Sequence, residues 1–410
     1  MSASVLGHLS LGYQWVWGRR REARAVQLFV QPDSDAAVDA AHLLDLISQT
    51  WSGNSLQLIL SVQSSTLLAD LLQHARPDGP WITVPGKLLS DPVVVADAEH
   101  ARRRGLNLLW RGEPGARPPA ELADCFGRGI YALTGGEALL ALHEARQGAP
   151  AQRKHPVPPD QIIEGLGSLA LAEHWLDQQA AWGVAGWPVE DVLHAYRERP
   201  PEPDQASLRR LIASVDADVS TDTIEQRLVQ EPLLAYRFLR FANSAQFNLR
   251  NAIESLRHGL MILGLKTFRN WLTEQLTKAS TDANLQPVRM AMVARAQLMA
   301  QLLDAGDEDA LRREVTLCGL LSQIDLLTGE SLAQAMQRIP VAERVLSAIV
   351  SNNGPYAPYL QIAAALEYPG MAAVPELCAA NGIDLADVNR TLLRVLADIG
   401  SVPGRASRTG

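Results

Sequence analysis

The sequence predicts two kinds of structure in series, an α/β half followed by an all-α half. Three observations lead there. From Val26 to about Pro188, short β-like runs alternate with amphipathic helical stretches, the texture of a largely parallel sheet that is free to close into a barrel. At RERPPEPDQ, Arg197 to Gln205, the chain turns Pro-rich and charged, as a linker or a sharp domain entry does. Beyond it the apolar spacing is helical almost throughout. With 410 residues the chain exceeds one ordinary core and fits two domains. The expected divisions are 1–199 and 200–400, with SVPGRASRTG, 401–410, read as a disordered tail.

In chain order, VQLFV at Val26 to Val30 reads as a strand, DAAVDAAHLLDLISQTW as a helix and LQLILSV as a strand. SSTLLADLLQHA and VVVADAEHARRRG are helical, with WITV and LNLLW as the strands beside them. In the second half, Asp222 followed by Glu225 supplies a capping-box-like start for a helix through Gln230. Leu234, Phe238, Phe241 and Ala245 keep helical spacing and should bury one face. LCGLLSQIDLL is apolar nearly all round and reads as a central helix of a bundle.

Composition excludes several classes. Hydrophobic residues make up 47% and charged residues 20%, as in a globular chain rather than a disordered one. No apolar run approaches the roughly 18 residues that span a bilayer. MSASVLGHLSLGYQW lacks a basic region ahead of an apolar one, so no secretory signal is expected. Cys125, Cys318 and Cys378 are isolated and form neither a disulfide framework nor a zinc motif, which points to a reducing cytoplasm. A net charge of -8 argues against nucleic acid as a partner. The basic run Arg19 to Arg24 reads as a solvated turn.

The stretch Glu231 to Leu272 resembles the signature of the HDOD domain, carried by Leu239, Asn243, Ser244, Ala245, Ile253, Ser255, Leu256, Leu263, Gly264 and Arg269. LCGLLSQIDLLTG and PVAERVLSAIV resemble the HDOD version fused behind an EAL domain. EAL domains are barrels that hydrolyse cyclic di-GMP with metal-holding carboxylates and a lysine. QWVWG, Gln14 to Gly18, and AVQLFVQ, Ala25 to Gln31, are similar to that family's opening strands.

The likeness puts Gln27 at a metal-binding glutamate and Gln31 at an arginine that meets substrate phosphate. It puts Ser61 at a metal-binding asparagine, and Arg111 and Gly112 at paired aspartates. WITVPGK contains no carboxylate, and neither Lys87 nor Lys154 lies in a KxD-like strand. GSLALAE around Leu171 is read as the replacement for an AExVE segment, and VAGWP, with Ala185, as a strand end without its glutamine. A neutral amide is a poor substitute for a carboxylate on a hard cation, and a guanidinium there repels it. The resemblance therefore implies a degenerate EAL-like barrel of TIM type followed by an HDOD helical bundle.

In the helical half, His258 is the single histidine after residue 200, and Ser322 and Gln323 stand where a His-Asp doublet would be. Asn243 and Ser244, like Ser255 and Gly264, read as structural, since a buried Asn-Ser pair can bond the backbone where a helix ends. No catalytic, metal or cofactor-binding residue is then expected, and the chain is expected not to be an enzyme. The function implied is a signalling or scaffold protein that meets unidentified signalling proteins, with a homodimer compatible with the habits of EAL-type domains. A cyclic di-GMP-binding effector without hydrolysis is the second reading: Arg111 or the Arg19 to Arg21 cluster could meet phosphates, although Gln31 disfavours it. Eight of the nine tryptophans precede residue 190; filling of the former pocket is the first reading of them and a partner surface of exposed indoles the second.

Overall fold

In the computed structural model the first set of strand-forming runs closes on itself. The structure describes residues 5–33, 38–51, 53, 55–147, 157–198, 200–248, 250–303 and 308–400. The Ser-Pro-Gly tail at 401–410, expected to be disordered, lies outside them. Eight strands form the barrel: β1 (Leu9–Trp17), β2 (Ala23–Pro32), β3 (Gln57–Val62), β4 (Trp81–Pro85), β5 (Leu108–Arg111), β6 (Arg128–Ala132), β7 (Ile162–Glu164) and β8 (Gly183–Ala185). From β2 to β8 the pairing is parallel; β1 runs antiparallel to both neighbours.

β2 shows why the sequence folds this way. Residues Ala25 to Val30 are all buried, because a barrel strand is covered on both faces. Ala25, Gln27 and Phe29 alternate with Val26, Leu28 and Val30, so one set lines the interior while the other meets the surrounding helices. A lower interior layer joins Val16, Ala25, Ile59, Leu109, Ile130, Ile162 and Ala185, with Trp81 and Trp182 packed against it. Crossover helices start at side-chain caps, Asp39 accepting from His42 N and Asp91 from Val93 N.

The barrel unit is not finished at residue 191. Residues 364–400 group with it, and residues 192–363 form the second compact unit. The reading that gave all of 200–400 to the helical domain is therefore corrected at its C-terminal end. β1 pairs with β8 only through Val16 and Trp17, which leaves most of its outer edge to be satisfied otherwise. The returning chain does so: Tyr13 N donates to Leu366 O and Tyr368 N donates to Tyr13 O, each at 2.9 Å. The helix Leu385–Gly400 buries Val388, Leu392, Leu393, Val395 and Leu396, each such side chain being worth about 1.5–3 kcal/mol on burial. Asn389, fully buried, donates to Leu6 O at 2.8 Å and to Leu9 O at 2.7 Å.

The second unit is helical. Its main members include Gln205–Asp216, Thr221–Val229, Pro232–Ala242, Leu256–Leu276, Gln286–Leu302, Asp309–Leu321 and Glu343–Ser351. Phe238 meets Phe268 edge-on at 4.9 Å and Trp271 at 5.4 Å between ring centroids. Ser220, not Asp222, caps the second of these helices by accepting from Thr223 N. Asp222 lies in its first turn, and Glu225 is turned inward toward Arg313 at 3.1 Å.

Candidate functional site

The C-terminal ends of the parallel strands form the barrel's mouth, the usual place for chemistry in such folds. One turn below the rim, Gln27 donates from Nε2 to Ser61 Oγ at 2.9 Å, and Thr83 donates to the same oxygen at 3.2 Å. All three are buried, and Gln27 Oε1 has no partner there. This short polar chain crosses β2, β3 and β4. Gln31, the last buried-side position of β2, is itself exposed.

Above that chain lies Arg111, the last residue of β5. Its Nε is 3.1 Å from both carboxylate oxygens of Glu164, the last residue of β7, and its Nη2 is 3.0 Å from Oε2. Burial works against the Arg111 charge, but Glu164 together with Tyr368 more than offsets it, so the guanidinium is held above its ordinary pKa. Arg111 also lies 5.5 Å from the Phe29 ring centroid and interacts with the Tyr368 side chain. Tyr368 stacks on Phe29, with centroids 3.8 Å apart and planes 13° from parallel. The mouth is therefore closed by Phe29, Tyr368 and an ion pair.

The tryptophans do something else. Trp81 and Trp182 pack at 5.2 Å by the strand starts, the opposite end of the barrel. Arg24 lies over Trp182 at 4.6 Å, and Arg128 lies over both indoles at 5.2 and 5.3 Å. The reading of the tryptophans as core rather than partner surface fits Trp15, Trp17, Trp110 and Trp175, which are buried, while Trp81 and Trp182 pack by the strand starts and not at the mouth. The basic run is also not simply a solvated turn. Arg21 is buried and forks onto Asp177 at 3.0 and 2.8 Å.

One further position differs from the sequence reading. Leu171 is not at a strand end but in the helix Leu169–Glu173, packed into the core beside Trp175. The strand before that helix, β7, ends on Glu164, a carboxylate the sequence reading did not single out. The run IIEGLG was the available signal, a glutamate and glycine directly after two isoleucines. Ala185 is the last residue of β8, as read from the sequence, in register with Glu164 of β7, and it packs into the barrel interior beside Ile162. Gly112 follows Arg111, and a Cβ on it would stand 2.3 Å from the Trp110 ring.

The resembled EAL family holds divalent ions at such a mouth. The donors here are the neutral Gln27, Ser61 and Thr83, the cation Arg111, and Glu164 already claimed by it. This set does not fit a pair of divalent cations. Among the described residues no group of three or more His, Cys, Asp or Glu side chains is arranged to hold a metal ion.

In the helical unit Asn243 staples a helix end. Its Nδ2 donates to Leu239 O at 2.8 Å and Ile253 O at 2.9 Å, and its Oδ1 accepts from Ile253 N at 2.8 Å. Ser244 follows with a buried hydroxyl, and Ser255 caps the next helix by accepting from His258 N at 3.2 Å. Gly264 kinks that helix at φ 75, ψ 155. Ser322 closes the helix Asp309–Leu321 by donating to Gly319 O at 2.7 Å. With its amide oxygen toward Arg295, Gln323 accepts from both guanidinium nitrogens at 3.3 and 3.2 Å. Arg295 is largely buried, so a fixed cation stands beside the pair Ser322 and Gln323.

The family model for the HDOD domain matches residues 201–345. Residues 201–345 are an HDOD domain. The HDOD match covers Asn243, Ser244, Ser255, Gly264, Ser322 and Gln323. The chain is 26% identical over 200 residues, 48% of its own length, to the cyclic di-GMP phosphodiesterase CdgJ of Vibrio cholerae. It is 22% identical over 219 residues, 52% of its length, to the uncharacterized protein YuxH of Bacillus subtilis. The chain spans about half the length of these curated relatives, 46% and 49%. Among solved structures, Klebsiella pneumoniae BlrP1 in a calcium and cyclic di-GMP complex is 13% identical, covering 46% of this chain and 57% of that one at a TM-score of 0.31. That superposition is too loose to carry residue correspondences.

The chain thus joins a closed eight-stranded barrel to an HDOD domain and is similar over about half its length to a protein named as a cyclic di-GMP phosphodiesterase. The sequence-based expectation that it is not an enzyme is corrected by this kinship, because a protein it resembles over 200 residues is named as a phosphodiesterase. No helix of the described residues is long and apolar enough to cross a membrane.

Proposed function

We propose that this chain is a signalling protein of a cyclic di-GMP pathway whose output is contact with other signalling proteins. The observation that carries this reading is the bidentate pair of Arg111 and Glu164 beneath the stacked rings of Phe29 and Tyr368. Each charge at the mouth is satisfied by the other, so neither is poised to seize a phosphate or an ion. On this reading Gln27, Gln31, Ser61, Arg111 and Gly112 serve packing and charge balance at positions the resembled family gives to ligands.

The HDOD domain presents what contact requires. Met261 is 66% exposed and Ile262 52% exposed, adjacent on the arm of the helix that precedes the kink at Gly264, and this apolar pair is the part of the domain that the reading assigns to contact.

The test uses the full chain as bait, wild type beside Met261→Glu/Ile262→Lys, with bound proteins identified and quantified. Specific partners lost in the variant support the reading. Hydrolysis of cyclic di-GMP by the full chain with magnesium or manganese, abolished by Glu164→Gln, would identify a catalytic output and overturn it.

A further inference from the structure

The helical unit holds a cavity of about 750 Å³ where the helix Pro232–Ala242 meets the C-terminal end of the helix Leu256–Leu276. That volume lies within the range of small-molecule sites. Its apolar wall is made of Phe241 and Trp271, whose ring centroids are 5.4 Å apart and whose planes are 24° from parallel. Trp271 is 4% exposed and Phe241 only half-buried, so Phe241 is the ring left for a ligand to pack on. A second wall is Glu202 with Arg237, whose Nη1 stands 2.5 Å from Glu202 Oε2 and whose Nη2 donates to Pro201 O at 3.0 Å. That pair neutralises itself.

Arg240 and Lys278 also line the cavity, are exposed, and have no carboxylate partner among the described residues. Arg240 instead lies 5.8 Å from the Tyr236 ring centroid. Against these two unmatched cations stands one carboxylate, Glu274, so the cavity keeps an excess of positive charge beside an aromatic wall. A surface cation on a helix is ordinarily just solvated. Here two of them border a hollow with rings in its wall, the combination that holds an oxyanion by charge and its apolar body by contact.

We propose that this cavity binds a small aromatic anion, its ring against Phe241 and its carboxylate or phosphate between Arg240 and Lys278. Arg240 presents a planar fork and Lys278 a point charge, a pair that accepts either oxyanion. The site belongs wholly to the HDOD domain, residues 201–345, and is independent of the cyclic di-GMP reading. Trp271 is the one tryptophan after residue 190, and from the cavity wall it reports occupancy.

The test uses the full chain labelled with fluorotryptophan, the Trp271 fluorine resonance being assigned through Trp271→Phe. Phenyl phosphate and phenylacetate are the probes, with inorganic phosphate and phenethylamine as controls. At least one probe is expected to shift the Trp271 resonance saturably, with a dissociation constant at or below the low-millimolar range; the tighter of the two assigns the oxyanion. Inorganic phosphate should bind at least about tenfold more weakly, since it lacks the apolar body. Phenethylamine should leave Trp271 where it was. Arg240→Gln/Lys278→Gln is expected to weaken the better probe by about tenfold and Glu274→Gln to tighten it by about two- to threefold, with far-ultraviolet dichroism checking that each variant is folded. Saturation by neither probe, or equal binding by wild type and the folded double variant, overturns the site. A response to phenethylamine as strong as to the probes overturns the charge assignment, and inorganic phosphate binding as tightly as the better probe overturns the ring contact.

Discussion

Arg111 and Glu164 end strands β5 and β7, one on each side of β6, and form a two-pronged ion pair at the barrel's mouth, with Nε at 3.1 Å from each carboxylate oxygen. Their side chains are 17% and 13% exposed, so neither is screened as a surface pair would be. Removing one partner leaves the other charge buried and uncompensated. Glu164→Gln is expected to destabilise the barrel by about 2–3 kcal/mol. Arg111→Met combined with Glu164→Leu should recover most of that loss, since replacing both charges by apolar groups removes the desolvation penalty as well. Urea midpoints at unchanged m-value report both outcomes.

Much of the fold is legible in the sequence because barrel strands are apolar on both faces. VQLFV, LQLILSV, WITV and LNLLW all lie in or overlap strands, and the HDOD signature falls in the helical unit. β7 is not legible in the same way, since three residues carry no periodicity to count. The misreading of GSLALAE followed from that, and with it the partner of Arg111 was missed. The crossing of residues 366–371 beside β1 is invisible for a different reason. Nothing near Tyr368 in the chain says that it stacks on Phe29, and only closure of the barrel with a short β8 leaves β1 an edge to be covered.

Gly264 kinks its helix at φ 75, ψ 155, a backbone region essentially reserved for glycine. A Cβ there would meet nothing within 4 Å, so any cost of Gly264→Ala is backbone strain rather than collision. A loss of about 1–3 kcal/mol is expected. Gly259→Ala provides the contrast, because its Cβ would stand 2.9 Å from the Phe238 ring within regular helix. Calorimetric unfolding of the two variants separates a strained backbone from a crowded core.

Asp325 sits beside the fixed cation of Arg295, yet its carboxyl is pushed up by burial, with Arg295 working the other way. A raised folded-state value means that the folded chain keeps this proton while the unfolded chain has lost it. Stability from this group is therefore fully present below the unfolded carboxyl range and declines as pH rises through the folded value. Asp325→Asn, a neutral stand-in for the protonated acid, is expected to flatten that part of the profile. The difference in urea midpoint between wild type and variant should widen in the variant's favour from about pH 4 upward. A difference that stays constant across pH would show that Asp325 does not titrate in the folded state as described.

Asn389 offers a test of where the returning chain belongs energetically. It is buried, and its Nδ2 is the donor for the carbonyls of both Leu6 and Leu9. Asn389→Ala deletes both bonds and leaves two acceptors to find other partners, for a cost of about 2 kcal/mol. Eight of nine tryptophans precede residue 190, so indole emission reports chiefly on the barrel unit, while far-ultraviolet circular dichroism is weighted toward helices. If residues 364–400 fold with the barrel, the emission midpoint in urea falls with the substitution, and the helical component of the dichroism that belongs to residues 192–363 stays where it was. A shift confined to the dichroism would assign the return to the helical unit's cooperativity instead, and Tyr368 with it.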